Sequence, residues 1–268
     1  MKKILLDIGG TFIKCSDGRT VPVDSNGTRD SIVAAFREAV RGAGDSSACS
    51  DPVEVRAAVP GPFDYATGQF LMKHKFAALY GEYFADLVGL PRECCRFSHD
   101  VNCMLLGEVR RSSDAGKAQN TAMIALGTGL GFAMFIDGAL LKNELGSPKV
   151  SIYNRPFRDG VLEDFASKRG VQRLFGRSDL TVKEIADLAR GGDAPAVEAF
   201  SRMGTVIGQA IAPILSEYRV ARLLLGGQIS RSWDLFAPAL KAELPSSVSV
   251  VEPISDFDNT TFNGLEAL

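Results

Sequence analysis

The stretch from Leu5 to Lys14 constrains this chain more than any other, because an apolar run enters a Gly-Gly-Thr turn and a second apolar run leaves it. Adjacent glycines adopt backbone angles that other residues resist, and they let a large group approach the main chain. Amides at such a turn, together with the Thr11 hydroxyl and the Lys14 ammonium, favour phosphate. Asp7 ends the first run, where a carboxylate needs a cation or hydrogen-bond donors. Mg²⁺ carried by a nucleotide meets that need, and a tight hairpin in a core is the alternative interpretation.

The same pattern occurs a second time. A strand-like run enters Gly127-Thr128-Gly129 and another leaves it, and Gly127 follows Gly9 by 118 residues, about the size of a small domain. Neither turn has the spacing of the P-loop or of the dinucleotide-binding motif. We therefore predict two α/β lobes, each a mixed sheet with helices, and a cleft between the lobes that holds a nucleotide.

Hydrophobic periodicity places the elements along the chain. In the first half it predicts strands at 3–8, 11–15, 19–23, 53–59 and 96–98 and helices at 28–42, 79–88 and 101–111, with a Gly/Ser/Asp-rich loop at 42–52. In the second half it predicts strands at 121–126, 130–136, 139–142 and 220–225 and helices at 161–174, 181–190, 193–218 and 232–244, with a last helix from about 259. The predicted domains are a small N-terminal lobe of residues 1–106 plus 259–268 and a larger C-terminal lobe of residues 107–258.

Composition narrows the function classes. The 268 residues are 46% hydrophobic and carry a formal net charge of −2. The chain therefore lacks the net positive charge that would attract nucleic acid or an anionic membrane surface. The longest uncharged apolar run, 121–136, has 16 residues, fewer than the roughly 20 of a spanning helix. The first residues lack a signal-peptide pattern, and the five cysteines are an odd number. We expect a reduced, cytoplasmic protein with a small-molecule substrate.

Seven short motifs then appear in the order of one known family: LDIGGT at 6–11, VPGPFD at 59–64, HDVN at 99–102, GTGLG at 127–131, ELG at 144–146, GVLE at 160–163 and LGG at 225–227. The chain resembles the ROK family, which comprises bacterial sugar kinases such as glucokinases, together with related repressors. The resemblance covers nearly the whole chain. It implies the two-lobed actin/hexokinase-like (ribonuclease H-like) fold and ATP with Mg²⁺ as cofactors.

The resemblance also implies roles for particular residues. Asp100 becomes the general base that accepts the proton of the attacking sugar hydroxyl. The residues implied to bind ATP and its phosphates are Asp7, through Mg²⁺ and water, with Gly9, Gly10, Thr11, Lys14, Gly127, Thr128, Gly129, Gly226 and Gly227. Those implied to contact sugar are Gly61, His99, Asp100, Glu144 and Glu163. The alternatives are a helix N-cap for Asp100, a surface lysine for Lys14 and solvated side chains for the two glutamates.

Three departures from the family pattern bear on the substrate. His99 stands where many members have Asn, and Ser147 stands where many have His. The family's zinc-binding cysteine cluster has no counterpart, since no cysteine follows Cys103. We therefore expect no zinc site, and the resemblance leaves both the sugar and the phosphorylated hydroxyl open.

The sequence thus supports an ATP-dependent kinase for a hexose or amino sugar. The alternative is a non-catalytic sugar or nucleotide sensor of the same family, which the changes at His99 and Ser147 would suit. A DNA-binding repressor is disfavoured, because the first strand begins near residue 3 and the chain is not basic. Family members are often homodimers, and the spacing here neither requires nor excludes one.

Overall fold

The computed structural model describes residues 2–41, 53–112 and 119–268. The predicted loop at 42–52 lies outside these residues. The chain divides into two compact units, the first made of Met1–Arg110, Lys142–Pro148 and Asp258–Leu268 and the second of Arg111–Leu141 and Lys149–Phe257.

The first unit is built on a five-stranded sheet with the order β3-β2-β1-β4-β7. Its strands are β1 (Lys2–Ile8), β2 (Phe12–Cys15), β3 (Thr20–Pro22), β4 (Val53–Val59) and β7 (Cys95–His99), and a small hairpin adds β5 (Phe63–Asp64) and β6 (Gln69–Phe70). β1, β2 and β3 form the predicted antiparallel meander, while β4 and β7 run parallel to β1. The carboxyl ends of β1, β4 and β7 therefore lie at one edge, where Asp7, Gly61 and Asp100 follow in sequence.

The helices of the first unit are α1 (Arg29–Arg41), α2 (Phe84–Val88) and α3 (Asp100–Arg111). The Thr28 side chain accepts the amide of Ser31 at 3.3 Å and so caps α1, as the sequence predicts. The main core lies on the α1 side of the sheet and includes stacked and tilted phenylalanines around Phe36.

The second unit repeats the sheet of the first. Its strands are β8 (Thr121–Leu126), β9 (Leu130–Ile136), β10 (Ala139–Leu140), β13 (Arg222–Gly226) and β14 (Val250–Pro253), in the order β10-β9-β8-β13-β14, beside a small hairpin of β11 (Pro156–Phe157) and β12 (Gly160–Val161). β8 and β9 are antiparallel, and β13 pairs in parallel with both β8 and β14. The fold is therefore the α/β architecture that the sequence predicts, with the same order and directions in both sheets.

The helices described in this unit are α4 (Lys168–Phe175), α5 (Val182–Arg190), α6 (Ala194–Glu217) and α7 (Trp233–Ala242). Asp193 caps α6 by accepting the amide of Ala196 at 2.9 Å. The apolar stripe of α6 is buried in the core of this unit, including Phe200, Met203 and Ile207.

Two predicted helices are wrong in extent. The predicted helix at 79–88 is a single 3₁₀ turn at Ala77–Leu79 and the short helix α2, because Gly81 takes a φ of +85° between them. The predicted helix at 161–174 is likewise a 3₁₀ turn at Leu162–Asp164 followed by α4, whose N-cap is Ser167. Apolar spacing alone did not reveal either interruption.

The last helix, α8 (Thr260–Glu266), returns to the first unit and covers the face of its sheet opposite α1. Backbones meet directly there, since a Cβ on Gly264 would overlap the carbonyl of Cys103 in α3. The buried Arg56 donates to the carbonyls of Leu265 at 3.1 Å and Glu266 at 2.8 Å, and to Glu54 at 2.9 Å. Across the described ranges, no helix has both the length and the apolar content needed to cross a bilayer.

Candidate active site

The Gly-Gly-Thr turn joins β1 to β2 as a tight hairpin. Its first amide is already used, because Gly9 donates to the carbonyl of Phe12 at 2.9 Å. The amides of Gly10 and Thr11 find no acceptor among the residues that the structure describes, and the Thr11 side chain is exposed. Two backbone donors without an acceptor and one exposed hydroxyl therefore lie at this turn, which is a donor set suited to an anion.

Asp7 lies directly before this turn and is partly buried. Burial raises its pKa to about 6, with a further contribution from the negative charge of Asp100, while the charge of Lys14 lowers it. Lys14 is exposed and sits opposite Asp7 in the β1–β2 register. A carboxylate so poorly compensated fits a divalent cation, and Mg²⁺ commonly uses one or two carboxylates with phosphates and water.

Asp100 is the first residue of α3, at the end of β7. Its Oδ1 accepts the amide of Val101 at 2.6 Å, and Nδ1 of His99 lies 2.7 Å from the same oxygen, although that nitrogen lacks a well-aligned hydrogen bond. Burial works to raise the pKa of Asp100, but His99, the Val101 amide and the charge of Lys75 outweigh it and hold the pKa below its usual range. Because 46% of the side chain is accessible, the ionised carboxylate keeps a route to solvent or substrate.

Gly61, Tyr65 and His99 form a wall beside Asp100. A Cβ on Gly61 would lie 3.5 Å from the His99 ring and 3.5 Å from the Tyr65 hydroxyl, so a larger residue would crowd both. Tyr65 donates to the carbonyl of Val59 at 2.8 Å, and its ring centroid lies 5.9 Å from that of His99. Burial raises the pKa of Tyr65 far above its ordinary value, so the phenol stays protonated.

The loop Lys142–Pro148 belongs to the same unit as Asp100. Its carbonyls are held by two donors, the Tyr65 amide on Leu145 at 3.0 Å and the Asn102 side chain on Gly146 at 3.2 Å. Ser147 hydrogen-bonds to the Tyr65 hydroxyl, and Glu144 is exposed. The first unit thus gathers Gly61, His99, Asp100 and this loop around Tyr65.

In the second unit, the Gly127–Gly129 turn joins β8 to β9. Gly127 donates to the carbonyl of Gly129 at 3.1 Å, whereas the amides of Thr128 and Gly129 find no acceptor within the described ranges. Glu163 hydrogen-bonds to the residue that follows the turn. Its Oε2 accepts a hydrogen bond from the Leu130 amide at 2.9 Å, and its Oε1 accepts one from the Arg169 side chain at 2.8 Å. Both carboxylate oxygens of Glu163 are therefore engaged by the protein itself.

Gly226 and Gly227 lie beside that turn, because Gly226 pairs with Ala125 where β8 approaches it. Gly227 has a φ of +78°, and a Cβ there would overlap the Leu126 carbonyl. Ser230 donates to the Gly226 carbonyl at 2.7 Å and fixes the bend. A glycine is therefore required at position 227.

The predicted site residues therefore form two groups. Asp7, Gly9, Gly10, Thr11, Lys14, Gly61, His99, Asp100 and Glu144 lie in the first unit, and Gly127, Thr128, Gly129, Glu163, Gly226 and Gly227 lie in the second. Sequence reasoning assigned no role to Tyr65, Asn102 or Lys75. Asn102 ends the HDVN motif, whereas Tyr65 and Lys75 fall in none of the motifs. In the described part of the chain, no three His, Cys, Asp or Glu side chains lie close enough to hold a metal ion without other ligands.

Part of this chain is similar to one known protein family. A model of the ROK family matches residues 153–262. The chain is 25% identical over 170 residues to a glucokinase from Halalkalibacterium halodurans, a match that covers 53% of this chain and 51% of the glucokinase. The chain spans about half the length of the curated relatives it matches.

Solved structures share the fold over nearly the whole chain. A ROK family glucokinase from Streptomyces griseus, solved with glucose and AMPPNP, has a TM-score of 0.73 at 24% identity and covers 98% of this chain and 97% of its own. A ROK family transcriptional regulator has a TM-score of 0.74 at 17% identity, over 99% of this chain and 77% of its own. At these identities the likeness shows the actin/hexokinase-like fold.

Proposed function

We propose that the protein is an ATP-dependent sugar kinase that transfers the γ-phosphoryl group of ATP to a hydroxyl of a hexose or amino sugar. The observation that carries the proposal is the arrangement in the first unit. An ionised carboxylate of lowered pKa, Asp100, lies at the same sheet edge as a glycine turn with two amides that have no acceptor among the described residues. The matching ROK family model and the fold shared with a glucokinase support it.

Asp100 acts as the general base. As the sugar oxygen attacks the γ-phosphorus, the carboxylate takes the hydroxyl proton, the bond between the γ-phosphorus and the bridging oxygen breaks, and ADP leaves with that electron pair. A low pKa keeps Asp100 ionised at neutral pH, and its position rather than its basicity provides most of its effect. Its accessible surface lets a hydroxyl reach it.

Phosphate is bound by the first turn through the amides of Gly10 and Thr11 and the Thr11 hydroxyl. Gly9 contributes backbone geometry rather than a donor, because its amide closes the hairpin. Asp7 would hold Mg²⁺ through water, with Lys14 nearby, and the ion would neutralise charge on the transferred group. In the second unit, Thr128 and Gly129 would bind phosphate, and Gly226 and Gly227 would flank adenosine.

Sugar hydroxyls would meet His99, Glu144 and the backbone at Gly61. The Nδ1 of His99 is buried against Asp100 at 2.7 Å, so the part of the ring that lies beside Gly61 is what would meet a sugar. Glu163 is the weaker sugar candidate, since its oxygens already hold Leu130 and Arg169. It would bind sugar only by sharing those oxygens.

Substitution of Asp100 tests the proposal. ATP consumption is measured with a panel of free hexoses and amino sugars, with and without Mg²⁺. Asp100→Asn keeps the shape but removes the base, so we expect kcat to fall by at least about 10²-fold with the sugar that the wild type prefers.

The exposed Asp30→Asn is the matched control and should keep full activity. Activity that survives in Asp100→Asn would remove Asp100 from its role. A wild type that binds ATP but turns over no sugar would contradict the kinase.

The second candidate is a non-catalytic sugar sensor. The short contact between His99 and Asp100 favours it, because an imidazole nitrogen 2.7 Å from the carboxylate oxygen competes with a hydroxyl for that oxygen. Calorimetry decides between the two: sugar binding with no turnover, in wild type and in His99→Asn alike, would support the sensor.

A further inference from the structure

Lys75 lies in a loop of the first unit that no sequence motif marks. Its neighbours Lys73 and His74 are exposed, whereas Lys75 is half-buried between the buried side chains of Met72 and Phe76. A lysine turned inward from a polar loop gives up hydration and side-chain freedom, so it needs a counter-charge.

The loop is clamped so that Lys75 faces the first glycine turn. The Phe76 amide donates to the carbonyl of Ser25 at 2.6 Å, and the Ser25 amide donates to the carbonyl of Gly10 at 2.9 Å. Ser25 is buried, and Phe76 is fully buried against Phe36, with ring centroids 5.7 Å apart. The chain from Gly10 through Ser25 to Phe76 fixes the position of Lys75.

Phe76 also holds a left-handed backbone conformation, with a φ of +49°. For a residue other than glycine this conformation is unfavourable. Such strain persists only where surrounding contacts over-determine it, and it occurs often at functional sites. Its effect here is to reverse the chain directly after Lys75 and direct the lysine towards Gly10.

The stem of Lys75 lies against the turn itself. A Cβ built on Gly10 would be 3.8 Å from Cε and 3.9 Å from Cδ of Lys75, which is van der Waals contact. No hydrogen bond or ion pair fixes its ammonium group within the described ranges. The charge of Lys75 nevertheless acts on Asp100. The stem of Lys75 thus lies beside the Gly10 turn, and its charge reaches the proposed base.

We propose that Lys75 is a catalytic residue that binds the terminal phosphate of ATP and stabilises the negative charge on the phosphoryl group as it moves to the sugar oxygen. This inference rests on the proposed kinase function. The ammonium keeps its proton throughout: Asp100 receives the hydroxyl proton, ADP leaves with the bridging oxygen, and Lys75 contributes only charge and hydrogen bonds. Because only the terminal phosphate meets it, Lys75 distinguishes ATP from ADP.

The test combines binding and turnover. Calorimetry measures the affinity of the full chain, with Mg²⁺ present, for a non-hydrolysable ATP analogue and for ADP. We expect Lys75→Met to bind the ATP analogue about tenfold or more weakly than the wild type. Its affinity for ADP should stay within twofold of the wild-type value. With a sugar that the wild type phosphorylates, kcat should fall by about 10²-fold while the KM for sugar stays within twofold.

Lys73→Met is the matched control. It removes an exposed lysine two residues away, whose Nζ lies 4.9 Å from the Tyr80 ring centroid, and should leave both readouts unchanged. Lys75→Arg keeps the charge and should recover part of the lost rate. Circular dichroism and urea unfolding establish that each variant folds.

The possible results separate the two proposals. A Lys75→Met variant that keeps the wild-type preference for the ATP analogue and the wild-type kcat would overturn the role of Lys75 while leaving the kinase intact. Equal losses for ADP and the ATP analogue would also overturn it, since they indicate a general structural effect. A wild type that binds neither nucleotide would overturn both proposals.

Discussion

At the residue scale, Asp7 shows a conflict between stability and function. Its carboxyl has a pKa raised to about 6 by burial and by Asp100, so folding favours the neutral carboxyl over the ionised one relative to the unfolded chain. A group whose pKa rises on folding stabilises the fold at low pH and disfavours it once ionised. The unfavourable contribution therefore grows as the pH rises from about 4 to 6 and is complete above that.

Asp7→Asn should consequently stabilise the protein when no divalent metal is present. At pH 7.5 in EDTA we expect the free energy of unfolding to increase by up to about 3 kcal/mol, the equivalent of roughly two pKa units. The gain should shrink towards zero near pH 4. Urea denaturation at both pH values measures it, and an unchanged or pH-independent stability would contradict the raised pKa.

The residues of the candidate site could be predicted from the sequence only where they belong to a recognisable motif. Asp7, Asp100 and the two glycine turns stand in patterns whose chemistry is local, and the structure places them at strand ends as expected. Lys75 was not predictable, because its inward direction depends on the bond between Phe76 and Ser25, which are 51 residues apart. The occupied amides of Gly9 and Gly127 likewise appear only when the turns close.

At the element scale, α3 and α8 are in contact through their backbones. Gly107 and Gly264 face each other's helices, and a Cβ on Gly264 would overlap the carbonyl of Cys103. Gly264→Ala must push α8 away from the sheet. We expect it to lower the free energy of unfolding by about 3 kcal/mol, despite the better helix propensity of alanine.

The exposed Glu266→Ala on the same helix is the control and should change stability by less than about 0.5 kcal/mol. Both variants are compared by urea unfolding. If Gly264→Ala were as stable as the control, close packing of the two helices would not be needed for the fold.

Strands were easier to predict than helix ends. β4, β8 and β9 match their predicted bounds residue for residue, since each stops at a turn residue. β14 was missed because its residues are only half-buried at a sheet edge and end in Pro253. The interrupted helices at 79–88 and 161–174 followed apolar spacing that tertiary contacts overrode.

At the scale of the whole molecule, the first unit is assembled from three separate segments of the chain. Its sheet has two apolar faces, and α8 supplies Leu265 to the small cluster around Leu5, Ala58 and Cys103. Arg56 also relies on α8 for two of its acceptors. Residues 1–110 alone would expose this face.

A fragment of residues 1–110 should therefore lack a cooperative urea transition, while the same fragment joined through a flexible linker to residues 258–268 should regain one. The fusion carrying Leu265→Asp is the matched control and should behave like the bare fragment. Near-UV circular dichroism and the slope of the urea transition report the difference. Cooperative unfolding of residues 1–110 alone would show that α8 is dispensable.

The loop Lys142–Pro148 is bound to the first unit through its carbonyls, by the amide of Tyr65 and the side chain of Asn102. These hydrogen bonds to backbone carbonyls do not depend on the identity of the side chain at position 144. If Glu144 contacts sugar as proposed, substitutions there would alter which hydroxyl pattern is accepted, while the backbone hydrogen bonds keep the loop in place. The substrate selectivity of such a protein can therefore change in evolution through the side chain at position 144, without compensating substitutions in the rest of the fold.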